Sequence, residues 1–449
     1  MCRIRPVLGQ LALVLAVCLG PSWAAAAALF NAERATLPNG LEIVVIPNHR
    51  APLVAHMVWY KVGSADERPG KTGIAHFLEH LMFKGTSTLA AGEFARVISR
   101  NGGQDNAFTS YDYTGFYQDI AADRLELVMR LEADRMANLK PAEAEVRSER
   151  DVILEERRSR VDNSPAALLH EEKSNALFLN HPYRMPVIGW AHEMQGLTRE
   201  DALDFYRRYY MPNNAVLVVA GDVTMAEVRR LAEKYYGVIP AGSVPERSWT
   251  SEPPHQAAKR VSLTSPLVGN ASLSRSYLAP SYQNGPSEHA YALQVLAEVL
   301  GSGPTSRLER ALVRDGGAAT RAGAGYAPDP IGPSTFDVYA SPREGRTVEE
   351  CEAAIDQVLA RLLADGVEAD EVERAKLRMQ ASYLYALDST RGPARLFGEA
   401  LVRGRTIADI EAWPERIAKV TREDVERAAR AVIRLESSVT GVLLPKRTS

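Results

Sequence analysis

The segment His76-Phe77-Leu78-Glu79-His80 carries the strongest chemistry in the sequence. Residues four apart on a helix stand one turn above one another, so His76 and His80 can offer two imidazoles to a single ion. Glu79 lies beside His80 and on the same side as His76, close enough to take a proton from a water held at that ion. Two imidazoles and one carboxylate fill three places of a tetrahedral zinc and leave the fourth open, as in a catalytic rather than a structural site. The ion brings the pKa of such a water toward ~7, and a nearby carboxylate completes the deprotonation. The bland alternative is two unrelated histidines. In a chain with nine His, H-x-x-E-H arises by chance on the order of once in a hundred sequences. Here it stands in an apolar run (Ile74, Ala75, Phe77, Leu78, Leu81, Met82, Phe83), where buried His and Glu need partners.

A third ligand must come from elsewhere. The charged segment after Pro141 predicts a long helix to about Arg160, on which Glu149 and Glu156 share a face with Val152 and Ile153 between them. Glu143 and Glu145 read as solvated surface acids. Periodicity leaves the choice between Glu155 and Glu156 open.

The elements that position these residues fall into two similar halves. Leu41–Ile46 predicts a strand entered through the turn Pro38-Asn39-Gly40, Leu53–Val62 a second strand, and a helix opens near Thr72. Later, Ala271–Leu278 predicts a strand and Pro286–Leu300 a helix, with Leu293, Leu296, Val299 and Leu300 at helical spacing. Leu197-Thr198-Arg199-Glu200-Asp201-Ala202 is echoed by Val420-Thr421-Arg422-Glu423-Asp424-Val425; in both, Thr suits a helix N-cap and the acids suit the first turn. A β-rich run follows each, Ala215–Val219 and Ser438–Leu444. The organisation expected is a zinc-binding half over 29–240, an exposed linker over 241–259 containing Pro245, Pro253 and Pro254, and a second half over 260–449. Hairpin-like strands mixed with helices favour α+β layers, each half a mainly antiparallel sheet packed with helices, over a doubly wound parallel sheet. The helix around Ala292–Glu298 contains no His, and His289 has no paired ligand at helical spacing, so only the first half is expected to hold metal.

At 449 residues the chain is too long for one ordinary domain, and 46% hydrophobic with 24% charged residues is a globular composition. A net charge of −3 and a pI near 6.4 give no sign of a nucleic-acid partner. Arg3 and Arg5, the apolar Leu8–Leu19 and the small-residue site Ser22-Trp23-Ala24 predict a signal peptide over 1–26 and export. A lipoprotein reading at Cys18 is weakened by the large Val17, and a retained anchor is the alternative to cleavage. No later stretch is long and apolar enough to span a membrane. Cys2 and Cys18 lie in the leader, so only Cys351 remains in a mature chain and no intramolecular disulfide can form. Cys351 also lacks a matched base, which argues against covalent catalysis.

With its inverted zinc motif, the sequence resembles the M16 peptidases: pitrilysin, insulysin and the mitochondrial processing peptidases. Pro38-Asn39-Gly40-Leu41, Gly102-Gly103 with Asn106-Ala107-Phe108-Thr109, His181-Pro182-Tyr183 with Gly189, and Asn213 through Gly221-Asp222 follow that pattern in order over nearly the whole mature chain. In the family, a glutamate ligand follows the second His by seventy-six residues, which here is Glu156, and an acid seven residues earlier, here Glu149, supports the site. The resemblance implies a zinc endopeptidase acting on extended peptides in a clam-like chamber, with one Zn2+ per chain. It also implies that Asn106, Ala107 and Phe108 form the substrate edge near zinc; pattern alone leaves an ordinary interior strand equally open. In active members the second half supplies an Arg and a Tyr that hold substrate. Arg314 matches the Arg, but the Tyr position falls on Thr320, with Tyr326 a few residues on. A phenol donating to a developing oxyanion is worth roughly 3 kcal/mol, and threonine is too short to reach as far. This departure predicts a homo- or heterodimer with another subunit of the same fold. The alternative is a non-catalytic or weakly active scaffold subunit. Periplasmic localisation is the expectation, with membrane tethering as its alternative.

Overall fold

The computed structural model describes residues 29–314, 317–385, 389 and 391–446; the expected signal segment 1–26 lies outside them. These residues form two sheets. The first contains β1 (Glu33–Thr36), β2 (Glu42–Pro47), β3 (Leu53–Tyr60), β4 (Gln104–Thr109), β5 (Thr114–Ala121) and β6 (Ala215–Gly221), in the order β1-β2-β6-β3-β5-β4. The second contains β7 (Lys259–Ser265), β8 (Ser272–Ala279), β9 (Ala319–Tyr326), β10 (Ser334–Pro342) and β11 (Ser438–Pro445), in the order β7-β11-β8-β10-β9. In each sheet the last strand of the half inserts beside an early one as its parallel neighbour, β6 beside β2 and β11 beside β7; the remaining pairings are antiparallel. Apart from β1, which has no counterpart among the described residues, the two halves thus share one strand order, and β4 and β9 are the matching edges.

The duplicated Thr residues act as the sequence predicts. Thr198 and Thr421 each cap a helix (Arg199–Tyr209 and Arg422–Val432), accepting from the amides of Asp201 and Asp424 while those carboxylates bind back to the cap amides. Each helix delivers the chain into an interior strand of its sheet, β6 or β11.

Both faces of the first sheet are covered, which is why β6 is apolar at every position. On one face Ile43, Val45, Val54, Val58, Leu217 and Val219 pack with Ile74, Phe77, Leu78 and Leu81 of the motif helix (Ile74–Leu81). On the other, Val44, Met57, Trp59, Val216 and Val218 pack with Ala394, Phe397, Ala400 and Leu401 of the helix Arg391–Val402, which belongs to the second half. The exchange is mutual: the first-half helix Pro165–Leu177 lies on β7 and β11 of the second sheet. Between the halves, residues 240–257 run without regular structure, but they are fastened: Arg247 and Trp249 both donate to the buried Asp66.

Candidate active site

The motif helix is eight residues long and begins at Gly73, whose φ of 85° is left-handed. Its position is fixed at that end by close backbone approach: a Cβ on Gly73 would lie 2.6 Å from the Ile188 carbonyl, and one on Gly189 (φ 88°) would lie 2.6 Å from Gly73 Cα. Glu67 is buried beside the first turn and accepts from the amides of Gly73 and Ala75, both at 2.9 Å. Its carboxyl is held well above the usual range by burial, which outweighs the two amide bonds. Thr72 is bound through its amide and hydroxyl to Glu193, both at 2.7 Å.

From this helix His76 and His80 turn toward the acidic helix Glu143–Arg157, with their rings edge to face at 4.7 Å. Glu156 Oε2 lies 3.6 Å from His76 Nε2 and 3.3 Å from His80 Nε2. These three ligand atoms lie within 4.8 Å of one another, and no other such group of His, Cys, Asp and Glu occurs among the described residues. Two imidazole nitrogens and one carboxylate oxygen, converging within this distance, are a donor set that fits a catalytic zinc.

The surrounding shell orients these ligands. Glu149 Oε1 accepts from His80 Nδ1 at 2.8 Å, leaving Nε2 to face Glu156, and its other oxygen pairs with Lys84 at 2.6 Å. Glu149 therefore stands behind His80, on the ring nitrogen away from Glu156. Arg160 pairs with Glu156 Oε1 at 2.6 Å. Burial opposes a charged His80, but the bonds from Glu149 and Glu156 outweigh it and push its pKa up to about 9. His76, desolvated and next to His80, is lowered to about 4. Glu156 is held below the usual carboxylate range by His80. Glu79 is 8% exposed, and burial raises its pKa against the lowering effect of a 2.6 Å hydrogen bond from the Thr109 hydroxyl.

Thr109 ends β4, which among the described residues is an edge strand of the first sheet and not an interior one. The segment from Gln104 to Ala121 divides into β4, a turn and β5. Asn106 Oδ1 accepts the Ala107 amide at 2.8 Å, so that amide faces the open edge and not β5. Phe108 points to the opposite face, against Trp59 at 4.9 Å and beneath Arg395 of the exchanged helix at 5.4 Å. The site thus gathers His76, Glu79, His80, Glu149 and Glu156, with Ala107 and Thr109 beside them. Arg314 lies exposed after the turn Glu309–Val313, and no side-chain contact among the described residues joins it to the cluster. Thr320 is on β9, its hydroxyl 3.3 Å from the Ser341 carbonyl, while Tyr326 donates to the Pro280 carbonyl at 2.6 Å. Sequence reasoning missed Thr109, Lys84, Arg160 and Glu67; a Glu followed by a Gly and a short apolar helix was the available signal for the last.

Two family models match: Insulinase (Peptidase family M16) over residues 42–189 and Peptidase M16 inactive domain over 196–379. The chain belongs to peptidase family M16. A zinc protease of Helicobacter pylori, PqqE, is 31% identical over 447 residues, covering 98% of this chain and 99% of that protein. A Mycobacterium leprae protein named as an uncharacterized zinc protease is 33% identical over 423 residues, covering 92% of this chain and 93% of its own. The crystal structure of a protease from Helicobacter pylori superposes with a TM-score of 0.86 at 30% identity, covering 92% of this chain and 99% of that one. An M16-like structure from Alicyclobacillus acidocaldarius shares the fold at a TM-score of 0.83 and 23% identity, covering 93% and 99%. The M16 architecture of two halves, each a mostly antiparallel sheet packed with helices, is therefore the architecture of this chain.

Proposed function

We propose that the chain is a zinc endopeptidase that hydrolyses extended peptides or unfolded segments, with His76, His80 and Glu156 as ligands and Glu79 as general base. The observation that carries this reading is the convergence of three ligand atoms within 4.8 Å beside a buried carboxylate and an open sheet edge. A bound Zn2+ would polarise the scissile carbonyl and acidify the attacking water. Substrate adds to β4 as an extra strand, taking the Ala107 amide from the Asn106 side chain that now occupies it. Glu79 accepts the proton of the attacking water and returns it to the departing amine. Glu149 holds His80 in the tautomer that presents Nε2. The decisive experiment is Glu79→Gln in the full chain with metal analysis. Zinc should remain at about one per chain while peptide turnover falls by ~10²–10⁴; turnover that survives with zinc bound rules out Glu79 as the base.

The phenol expected at Thr320 has no substitute in Tyr326, whose hydroxyl is committed to Pro280. This supports a second M16 subunit, identical or different, that completes the substrate clamp, with a weakly active scaffold as the competing reading. Turnover measured across resolved monomer and dimer fractions separates them: full activity in the monomer defeats partner dependence, and none in any fraction favours the scaffold. The leader-like segment supports export to the periplasm, which fractionation of the expressing cell tests.

A further inference from the structure

We infer that Thr109 is a positioning residue for the general base, and that its hydroxyl ties the aim of Glu79 to the strand on which substrate is laid. The inference rests on the peptidase reading given above. Thr109 Oγ1 donates to Glu79 Oε2 at 2.6 Å, and among the described residues this is the one hydrogen bond that the Glu79 side chain receives. A glutamate has three rotatable bonds, so a buried base held by nothing would sample orientations unrelated to the attacking water. A single bond to one carboxylate oxygen fixes the plane and leaves the other oxygen for the proton.

Thr109 itself is held firmly. It pairs with Thr114 at the start of β5, whose hydroxyl binds the Val62 carbonyl at 3.1 Å. The hairpin that follows is closed by Ser110 N to Tyr113 O at 2.8 Å. Its outer rim is pinned by Ser64 N to Ser110 O at 3.0 Å and Ala65 N to Tyr111 O at 2.9 Å. The approach is so close that a Cβ on Gly63 would strike the Ser110 and Tyr111 carbonyls. One turn residue, the buried Asp112, accepts from Tyr183 and, at 3.0 Å, from Arg403 at the end of the exchanged helix. By strand alternation Thr109 turns its main chain to the same open edge as Ala107, two residues earlier. The residue that meets the incoming peptide through its backbone therefore also holds the base through its side chain.

Thr109→Val removes the hydroxyl at nearly constant shape, and Thr109→Ser keeps the hydroxyl without the methyl. With the zinc-loaded full chain, Thr109→Val should lower kcat by about tenfold or more with KM little changed, and Thr109→Ser should regain most of that loss. A second readout does not depend on turnover. A phosphinic peptide, whose phosphinyl oxygen needs a proton held by the aimed Glu79, should bind Thr109→Val about tenfold more weakly. An unmodified peptide should bind the Glu79→Gln and Thr109→Val/Glu79→Gln proteins alike. The inference is overturned if Thr109→Val keeps wild-type kcat and phosphinic-peptide affinity, or if serine fails to restore what valine loses, which would assign the effect to methyl packing. Failure of the wild-type chain to cleave any peptide, or survival of cleavage in Glu79→Gln, would strike the peptidase reading instead, so the two failures are distinguishable.

Discussion

At the scale of single residues, the site's charge balance is set before any metal arrives. In the metal-free protein His76 is neutral at pH 7, lowered to about 4, whereas His80 is raised to about 9 and carries a proton. A metal must displace that proton, so binding releases close to one proton per ion at neutral pH. The sign follows directly: displacement of the His80 proton makes zinc affinity rise about tenfold per pH unit, a contribution that levels off as pH passes about 9, where His80 is already neutral. Competition titrations with a chelator at several pH values measure this slope. Glu149→Gln tests the cause. It removes the anion behind His80 and leaves Lys84 without its partner, so zinc should bind about 10–100-fold more weakly at high pH. The levelling-off should also move to lower pH, because the imidazolium loses one of the two bonds that favour it. An unchanged profile would mean that Glu149 does not act on His80. The pairing of His76 with His80 was legible in the sequence because their spacing is a helical fact. Glu156 was not separable from Glu155 by periodicity, since neighbours on a helix differ by only 100°. The structure separates them by direction: Glu155 is exposed and paired with Arg158 at 2.8 Å, while Glu156 turns inward.

At the scale of elements, an eight-residue helix has too few internal hydrogen bonds to hold two ligands still, so its placement depends on what grips its ends. The grip at the N-terminus is the Gly73–Gly189 contact, with Glu67 and Glu193 binding the surrounding amides. Arg157 reinforces it from the acidic helix, donating to the Gly189 carbonyl at 2.9 Å while pairing with Glu171. Gly189→Ala would place a methyl 2.6 Å from Gly73 Cα and from the Thr72 carbonyl at a left-handed φ of 88°. The conformation alone costs about 1–2 kcal/mol, and relieving the overlap adds to it. The expected result is a stability loss of about 2 kcal/mol or more in denaturant titration, accompanied by weaker zinc binding. A loss of stability with zinc affinity intact would show that the contact does not position the motif helix. The helix itself, its apolar partner face and the long acidic helix were readable from periodicity. The Gly73–Gly189 contact was not, because it joins residues more than a hundred positions apart and consists of backbone approaching backbone, which leaves no pattern beyond two glycines.

At the scale of the whole molecule, duplication was visible in the Thr-capped helices and the strands that follow them, because a capping box and an apolar run are local signals. The exchange of helices was invisible, since nothing in Arg391–Val402 distinguishes a face destined for its own sheet from one destined for the other half's. Yet that exchange decides how the molecule behaves as a unit. The face of the first sheet formed by Val44, Met57, Trp59, Val216 and Val218 is apolar and would meet water without the second half's helix. Phe397 is fully buried there, edge-on to Phe30 at 5.1 Å. Phe397→Ala removes a ring at a site hemmed in by rigid strands, so the cavity closes poorly and the cost is about 3–5 kcal/mol. If the halves were independent domains, that cost would fall on the second half, and amides of β3 and β6 would keep their wild-type protection from hydrogen exchange. Mutual covering predicts the opposite: protection of β3 and β6 should fall together with that of β8 and β10, in one cooperative step. Because Phe108 on β4, the proposed substrate edge, packs on Trp59, and Trp59 forms part of the face that Phe397 covers, the proposed peptidase should in the same variant lose turnover at temperatures where zinc analysis still finds the ion bound.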